Sequence, residues 1–80
     1  MTTEQLKQYL DQAPFRPFQI VTADGYSIPV AHEDYVSVGP RGRTVLVWDQ
    51  DDNFRIVDVP LIIRLDFLKE PPQPQSGQED

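Results

Sequence analysis

Two β-branched runs on either side of a Gly-Pro-Arg-Gly corner constrain the fold of this chain more than any other feature. The runs occupy residues 36–38 and 44–48, and the corner occupies residues 39–42. This composition predicts a strand, a tight turn and a returning strand. Leu46 and Trp48 would point to the face opposite the valines. Four valines are expected to share the buried face of this central hairpin: Val36, Val38, Val45 and Val47.

A short helix is predicted before the strands. Thr2 is a suitable N-cap, and Gln5 three positions later completes a capping box. Pro14 would end the helix, because the residue before a proline is disfavoured in the α region. One apolar stripe at helical spacing is expected to pack on the sheet: Leu6, Tyr9, Leu10 and Ala13.

Two aromatic side chains, Phe15 and Phe18, follow the helix in a segment stiffened by Pro14 and Pro17. They are expected to fasten the helix to the sheet, since a small core needs large apolar side chains. The alternative is an exposed aromatic-proline ligand for the groove of a partner.

Further strand patterns flank the central hairpin. Residues 18–23 and 26–30 enclose an Asp24-Gly25 hairpin turn, and Pro29 places the second of these strands at an edge. Residues 54–59 and 61–67 supply the last strands. The sequence therefore predicts an α+β, mainly β fold, in which a short N-terminal helix precedes about five antiparallel strands. These would form a bent sheet or a small, partly open barrel; the alternative is a flat sheet with the helix across one face.

The length and composition predict one small domain, residues 1–69, followed by a disordered Pro/Gln-rich acidic tail at residues 70–80. The chain has no cysteine, so it offers neither disulfides nor thiolate metal ligands, and this composition suits a reducing compartment. No signal-peptide or membrane-helix pattern is present, so we expect a cytoplasmic protein. The net charge of −6 disfavours binding to phosphate backbones.

The chain resembles a family of small bacterial proteins from Pro14 to about Phe67. The resemblance is carried by the segments 14–18 (PFRPF), 24–25 (DG), 32–36 (HEDYV) and 42–45 (GRTV), and it implies no particular activity. The order of elements also resembles the Sm-like and SH3-like small barrels, in which a one-turn break precedes the last strand. Residues 59–61 fall at that position. The Sm-like resemblance implies assembly through strand edges and RNA binding.

Chemistry-bearing residues are sparse, and we expect no enzyme, no cofactor and no metal site. His32 stands beside Glu33 and Asp34, but bracing of a bend is the simpler role for it. Asp49, Asp51 and Asn53 have the oxygen spacing of a calcium loop. Phe54 and Pro60, however, replace the glycine and glutamate that such a loop requires, so a solvated turn is expected.

A cationic-aromatic patch is the candidate interaction site. It comprises Arg16, Arg41, Arg43, Tyr26 and Tyr35, and its residue types suit single-stranded nucleic acid. The leading hypothesis is nevertheless a non-catalytic module for protein interaction or self-association, because the strand edges of a small sheet invite pairing. No membrane partner and no small-molecule substrate are expected.

Overall fold

The computed structural model describes residues 1–69 of the 80-residue chain. The tail predicted for residues 70–80 lies outside the described residues. Within them, the chain forms a short N-terminal helix and six strands in two small antiparallel sheets.

Helix α1 spans Thr3–Leu10 and begins with the predicted capping box. The Thr2 hydroxyl accepts a hydrogen bond from the Gln5 amide at 3.2 Å, and the Gln5 side chain accepts one from the Thr2 amide at 2.9 Å. Leu6 is fully buried. The predicted stripe was wrong at Ala13, which is exposed and lies beyond the helix. The Gln12 side chain donates to the Tyr9 carbonyl at 2.6 Å, so a last-turn carbonyl is satisfied without a further helical turn.

Six strands follow, one at each of the six predicted runs, although the total was expected to be about five. A one-turn 3₁₀ helix at Glu33–Tyr35 separates the second strand from the third. A second 3₁₀ helix at Val59–Leu61 occupies the predicted break before the last strand. The strands are β1 Phe18–Thr22, β2 Ser27–Val30, β3 Val36–Val38, β4 Thr44–Trp48, β5 Phe54–Asp58 and β6 Ile62–Phe67.

The strands divide into two three-stranded sheets, with orders β2-β1-β6 and β3-β4-β5. The last strand therefore returns to the first, with Ile20 opposite Leu65. The predicted central hairpin forms β3 and β4, but it is the centre of one sheet only. The other sheet is organised around β1.

The core lies between the two sheets and the helix. Val36 pairs with Val47 and Val38 pairs with Val45, so the four hairpin valines share one face, as predicted. Val45 and Val47 are buried, while Val36 and Val38 pack at the core margin. Phe18 supplies the largest fully buried side chain.

The aromatic connector fastens the helix to the sheet, as expected. The rings of Tyr9 and Phe18 lie 5.4 Å apart in an edge-to-face arrangement, and those of Phe15 and Phe18 lie 5.9 Å apart. Both distances fall in the range preferred by aromatic pairs. Phe15 is half-buried against the core.

The 3₁₀ helix at Val59–Leu61 joins the two sheets. The Val59 amide donates to the Arg43 carbonyl at 2.8 Å, at the start of β4. The Leu61 carbonyl accepts from the Ala23 amide at 2.9 Å, at the end of β1. One short turn is thus hydrogen-bonded to both sheets. No helix in residues 1–69 is long and apolar enough to cross a membrane.

Candidate docking surface

The outer face of β4 and β5 carries apolar side chains that the core does not use. Leu46 lies opposite Ile56, and Trp48 lies opposite Phe54 with the ring centroids 5.1 Å apart. Ile56 is 65% exposed and Phe54 is 53% exposed. We refer to Leu46, Trp48, Phe54 and Ile56 as the apolar strip.

The strip arises because β4 and β5 carry apolar residues at both odd-numbered and even-numbered positions. Successive side chains of a strand point to opposite faces, so the buried residues Val45, Val47 and Val57 fill the core and their neighbours point outward. An antiparallel sheet with one wet face normally carries polar residues there. A contiguous exposed apolar patch is instead typical of an interaction site.

The free edge of β5 borders this strip. The Asn53 carbonyl accepts from the Asp49 amide, and the Val59 amide donates to Arg43, so these odd-numbered residues direct their backbone groups toward β4. Alternate residues of a strand direct theirs to the opposite side. The even-numbered residues of β5 therefore present N–H and C=O groups at an edge to which no strand within residues 1–69 pairs: Phe54, Ile56 and Asp58.

The other three sheet edges are shorter or interrupted. Strand β2 places Pro29, which has no N–H, on its free side. Strand β3 has three residues. Strand β6 is irregular, because Ile63 is the extra residue in its pairing with β1. Among the described edges, β5 is thus the longest one that lacks both a proline and a bulge.

Two open grooves lie along β5. The larger, of about 690 Å³, is lined by residues that include Pro29, Tyr35, Trp48 and Phe54. The smaller, of about 390 Å³, is lined by residues that include Tyr26, Ile56 and Leu61. Strands β2 and β5 contribute to both.

Arg55 lines both grooves, and its guanidinium lies 5.4 Å from the centre of the Tyr26 ring. This cation–π contact connects the β5 edge to the other sheet. Carboxylates line both grooves, Asp49 and Asp51 the larger and Asp24 and Asp58 the smaller. Among the lining residues that the structure describes, Arg55 is the one Lys or Arg, so each groove carries more acidic than basic side chains.

The acidic turn before β5 is held by its first residue. One carboxylate oxygen of Asp49 accepts from the Asp51 amide at 2.8 Å and from the Asn53 amide at 3.0 Å. This Asx-type arrangement supports the interpretation of a solvated turn. Among residues 1–69, no group of three or more His, Cys, Asp or Glu side chains could hold a metal ion.

The structure distributes the residues of the predicted cationic-aromatic patch over several places. The guanidinium of Arg16 lies 4.0 Å from the centre of the Phe67 ring. Tyr35 lines the larger groove and Tyr26 the smaller. Arg41 and Arg43 lie in or beside the β3–β4 turn.

That turn is itself attached to the helix. The Thr3 hydroxyl donates to the Gly42 carbonyl, and the Gly42 amide donates to the Gly39 carbonyl at 3.0 Å. A hydrogen bond between residues 39 positions apart fixes the position of the turn relative to α1. The arginines on either side of Gly42 are therefore presented from an anchored loop.

His32 caps the first 3₁₀ helix. Its Nδ1 accepts from the Asp34 amide at 3.3 Å, which requires that nitrogen to be unprotonated. The same nitrogen lies 3.6 Å from the Asp34 carboxylate, to which it could donate only with a hydrogen on Nδ1. His32 is the N-cap residue of this turn, in agreement with its predicted role of bracing the bend.

Arg55 and Arg64 alternate with Asp58 and Asp66 in the last two strand patterns, which predicts cross-strand ion pairs, and this prediction was wrong. Arg64 and Asp66 pair with each other along β6, with Nε 2.9 Å from Oδ2. Arg55 lies instead over Tyr26. The physical reason is topological, since β5 and β6 belong to different sheets.

The sequence predicts that Leu46 and Trp48 point away from the core, but their cross-strand partners Phe54 and Ile56 were not predicted. The signal was present, because apolar residues occupy alternate outward positions in residues 54–58 as well. Because β4 pairs with β5, the outward apolar residues of the two strands form one surface, the apolar strip. In comparisons with protein-family models, curated proteins and solved structures, no match to this chain was found.

Proposed function

We propose that this chain is a non-catalytic protein-interaction module of the cytoplasm, which docks on a partner through the apolar strip and the adjacent edge of β5. One observation carries the proposal: exposed aromatic and aliphatic side chains stand beside an unpaired strand edge. The absence of cysteine supports the reducing location.

The energetics of the strip suit a docking surface. Complete burial of a Phe or Ile side chain contributes about 1.5–3 kcal/mol, and Phe54 and Ile56 are more than half exposed. Aromatic residues are enriched among the few side chains that dominate interface energies. Trp48 packs against Phe54, so that ring is already supported in the free protein.

Site-specific photocrosslinking in the native host tests the proposal. A photoreactive phenylalanine analogue is placed at Ile56, and a control variant carries it at Gln8. Gln8 is also exposed, but it lies on α1 and lines neither groove. We expect protein adducts from position 56 and far weaker adducts from position 8, because only the first lies on the apolar strip.

The adducts also distinguish the kind of partner. A crosslinked dimer of the chain would identify self-association, and an adduct of another mass would identify a second protein. Equal labelling from both positions, or no adduct from position 56 in a folded variant, would contradict the proposal. Circular dichroism of each purified variant establishes the folded state.

A further inference from the structure

We infer that the β5 edge accepts an extended, cationic segment of a partner protein, which adds as a fourth strand beside β5. This inference rests on the proposed function and specifies its partner. Strand addition uses main-chain hydrogen bonds for affinity and side-chain contacts for specificity.

The backbone of β5 supplies the first argument. Phe54, Ile56 and Asp58 direct their N–H and C=O groups to the open side, which gives donors and acceptors along a regular strand. At about 3.3 Å per residue, the edge from Phe54 to Asp58 is about 13 Å long. An extended segment of five to six residues matches that length.

Charge complementarity supplies the second argument. Asp49 and Asp51, which precede β5, line the larger groove, and Asp58, which ends β5, lines the smaller groove together with Asp24. Arg55 lines both grooves and is engaged with Tyr26. A segment with a Lys or Arg near each end, about five residues apart, would set its charges against carboxylates and its apolar side chains on the apolar strip.

A second copy of the chain suits this edge less well. Antiparallel pairing of β5 with itself around Ile56 or Val57 would set Asp58 against an apolar residue of the strip. Pairing around Arg55 would set two guanidiniums opposite each other, and like charges in that position are destabilising. Two copies would also each carry a net charge of −6.

Fluorescence anisotropy with synthetic peptides tests the inference on the full-length chain. The probe is a labelled heptapeptide with an arginine at each end and alternating valine and threonine between them. One control peptide has glutamate at both ends, and another keeps the arginines but carries N-methyl groups on alternate backbone amides. We expect binding of the probe and at least about tenfold weaker binding of each control.

Variants of the chain locate the bound peptide. Ile56→Glu should abolish binding, whereas Ser37→Glu adds the same charge on the same sheet and should leave binding within about twofold. The double variant Asp49→Asn/Asp58→Asn should weaken binding of the arginine peptide about fivefold or more. Amide hydrogen exchange should slow at Phe54, Ile56 and Asp58 when the probe binds.

The outcomes separate this inference from the proposed function. If the N-methylated peptide binds as well as the probe, strand addition is wrong. If the probe does not bind although position 56 crosslinks a protein in the host, the cationic segment is wrong and the docking function stands. If the chain neither binds the probe nor forms adducts, both proposals are wrong.

Discussion

At the scale of single residues, Gly42 and Gly25 serve different purposes although both adopt positive φ angles, of 71° and 95°. A Cβ atom on Gly42 would lie 2.8 Å from the Thr3 hydroxyl, whereas a Cβ on Gly25 would meet nothing within 4 Å. Both positions therefore carry backbone strain for any other residue, and only Gly42 also lies against the helix.

This difference predicts unequal effects of alanine. Gly25→Ala should lower the free energy of unfolding by about 1 kcal/mol through backbone strain. Gly42→Ala should lower it by about 2–4 kcal/mol, because a steric clash adds to the strain. Chemical denaturation measures both values. Thr3→Ala in the Gly42→Ala background should recover part of the loss, and equal losses at the two glycines would contradict the close approach.

Some residue roles could be predicted because their signals are local. The Thr2–Gln5 capping box and the His32 cap depend on residues no more than three positions apart. The contact of Thr3 with Gly42 joins residues 39 positions apart, and no local pattern reports it. The outward position of Ile56 has a local signal in the alternation of residues 54–58, but its place opposite Leu46 depends on which strands pair.

At the scale of elements, the free edges of β2 and β5, which both border the grooves, differ in their backbone N–H groups. Strand β2 presents Ser27 and Pro29 on its free side, and the proline supplies no donor there. Strand β5 presents a complete set of donors on its free side. Pro29 therefore protects one edge from pairing and leaves the other available.

Restoring a backbone N–H at position 29 should promote self-association through the free edge of β2. We expect Pro29→Val to show concentration-dependent association at protein concentrations where the parent chain shows less, because an N–H returns to an exposed edge. Sedimentation velocity over a hundredfold range of concentration measures this. Ser27→Val is the matched control, since it adds the same side chain on the same strand and leaves the number of donors unchanged. Association that is equal in the two variants would show that added hydrophobicity, not the donor, is responsible.

Element type was predictable throughout residues 1–69, and so was the pairing within the hairpins, but the pairing of β6 with β1 was not. Hairpins such as β1–β2 and β3–β4 are predicted by a turn sequence between two strand patterns. Helix α1 ends at Leu10, before Pro14, and the Gln12 side chain donates to the Tyr9 carbonyl in its last turn. Separation into two sheets followed from the return of β6 to β1.

At the scale of the whole molecule, charge bears on the Sm-like alternative, in which RNA binds through Arg16, Arg41 and Arg43. Residues 1–69 contain seven basic and ten acidic side chains, a net charge of −3. Arg16 lies over Phe67, while Arg41 and Arg43 flank an anchored turn. RNA binding through these arginines stays a prediction with a direct test.

Anisotropy titrations with short RNA and DNA at low salt provide that test. If phosphate contacts drive binding, affinity should fall steeply as salt rises, and Arg41→Ala/Arg43→Ala should weaken binding and flatten the salt dependence. Given the acidic balance, we expect no binding at high micromolar protein. Tight binding that both substitutions reduce would instead make the RNA alternative the better account.

The connection between β1 and β6 has a consequence for the order in which the molecule can fold. Ile20 pairs with Leu65, 45 positions later, and the Val59–Leu61 turn ties both sheets together. During synthesis, the sheet that contains Phe18 and Ile20 can therefore be completed only after nearly the entire domain has been made. Such non-local pairing slows folding relative to helical proteins of this size. The nascent chain thus has Phe18 and Ile20 without their β6 partners until the last strand has been synthesised.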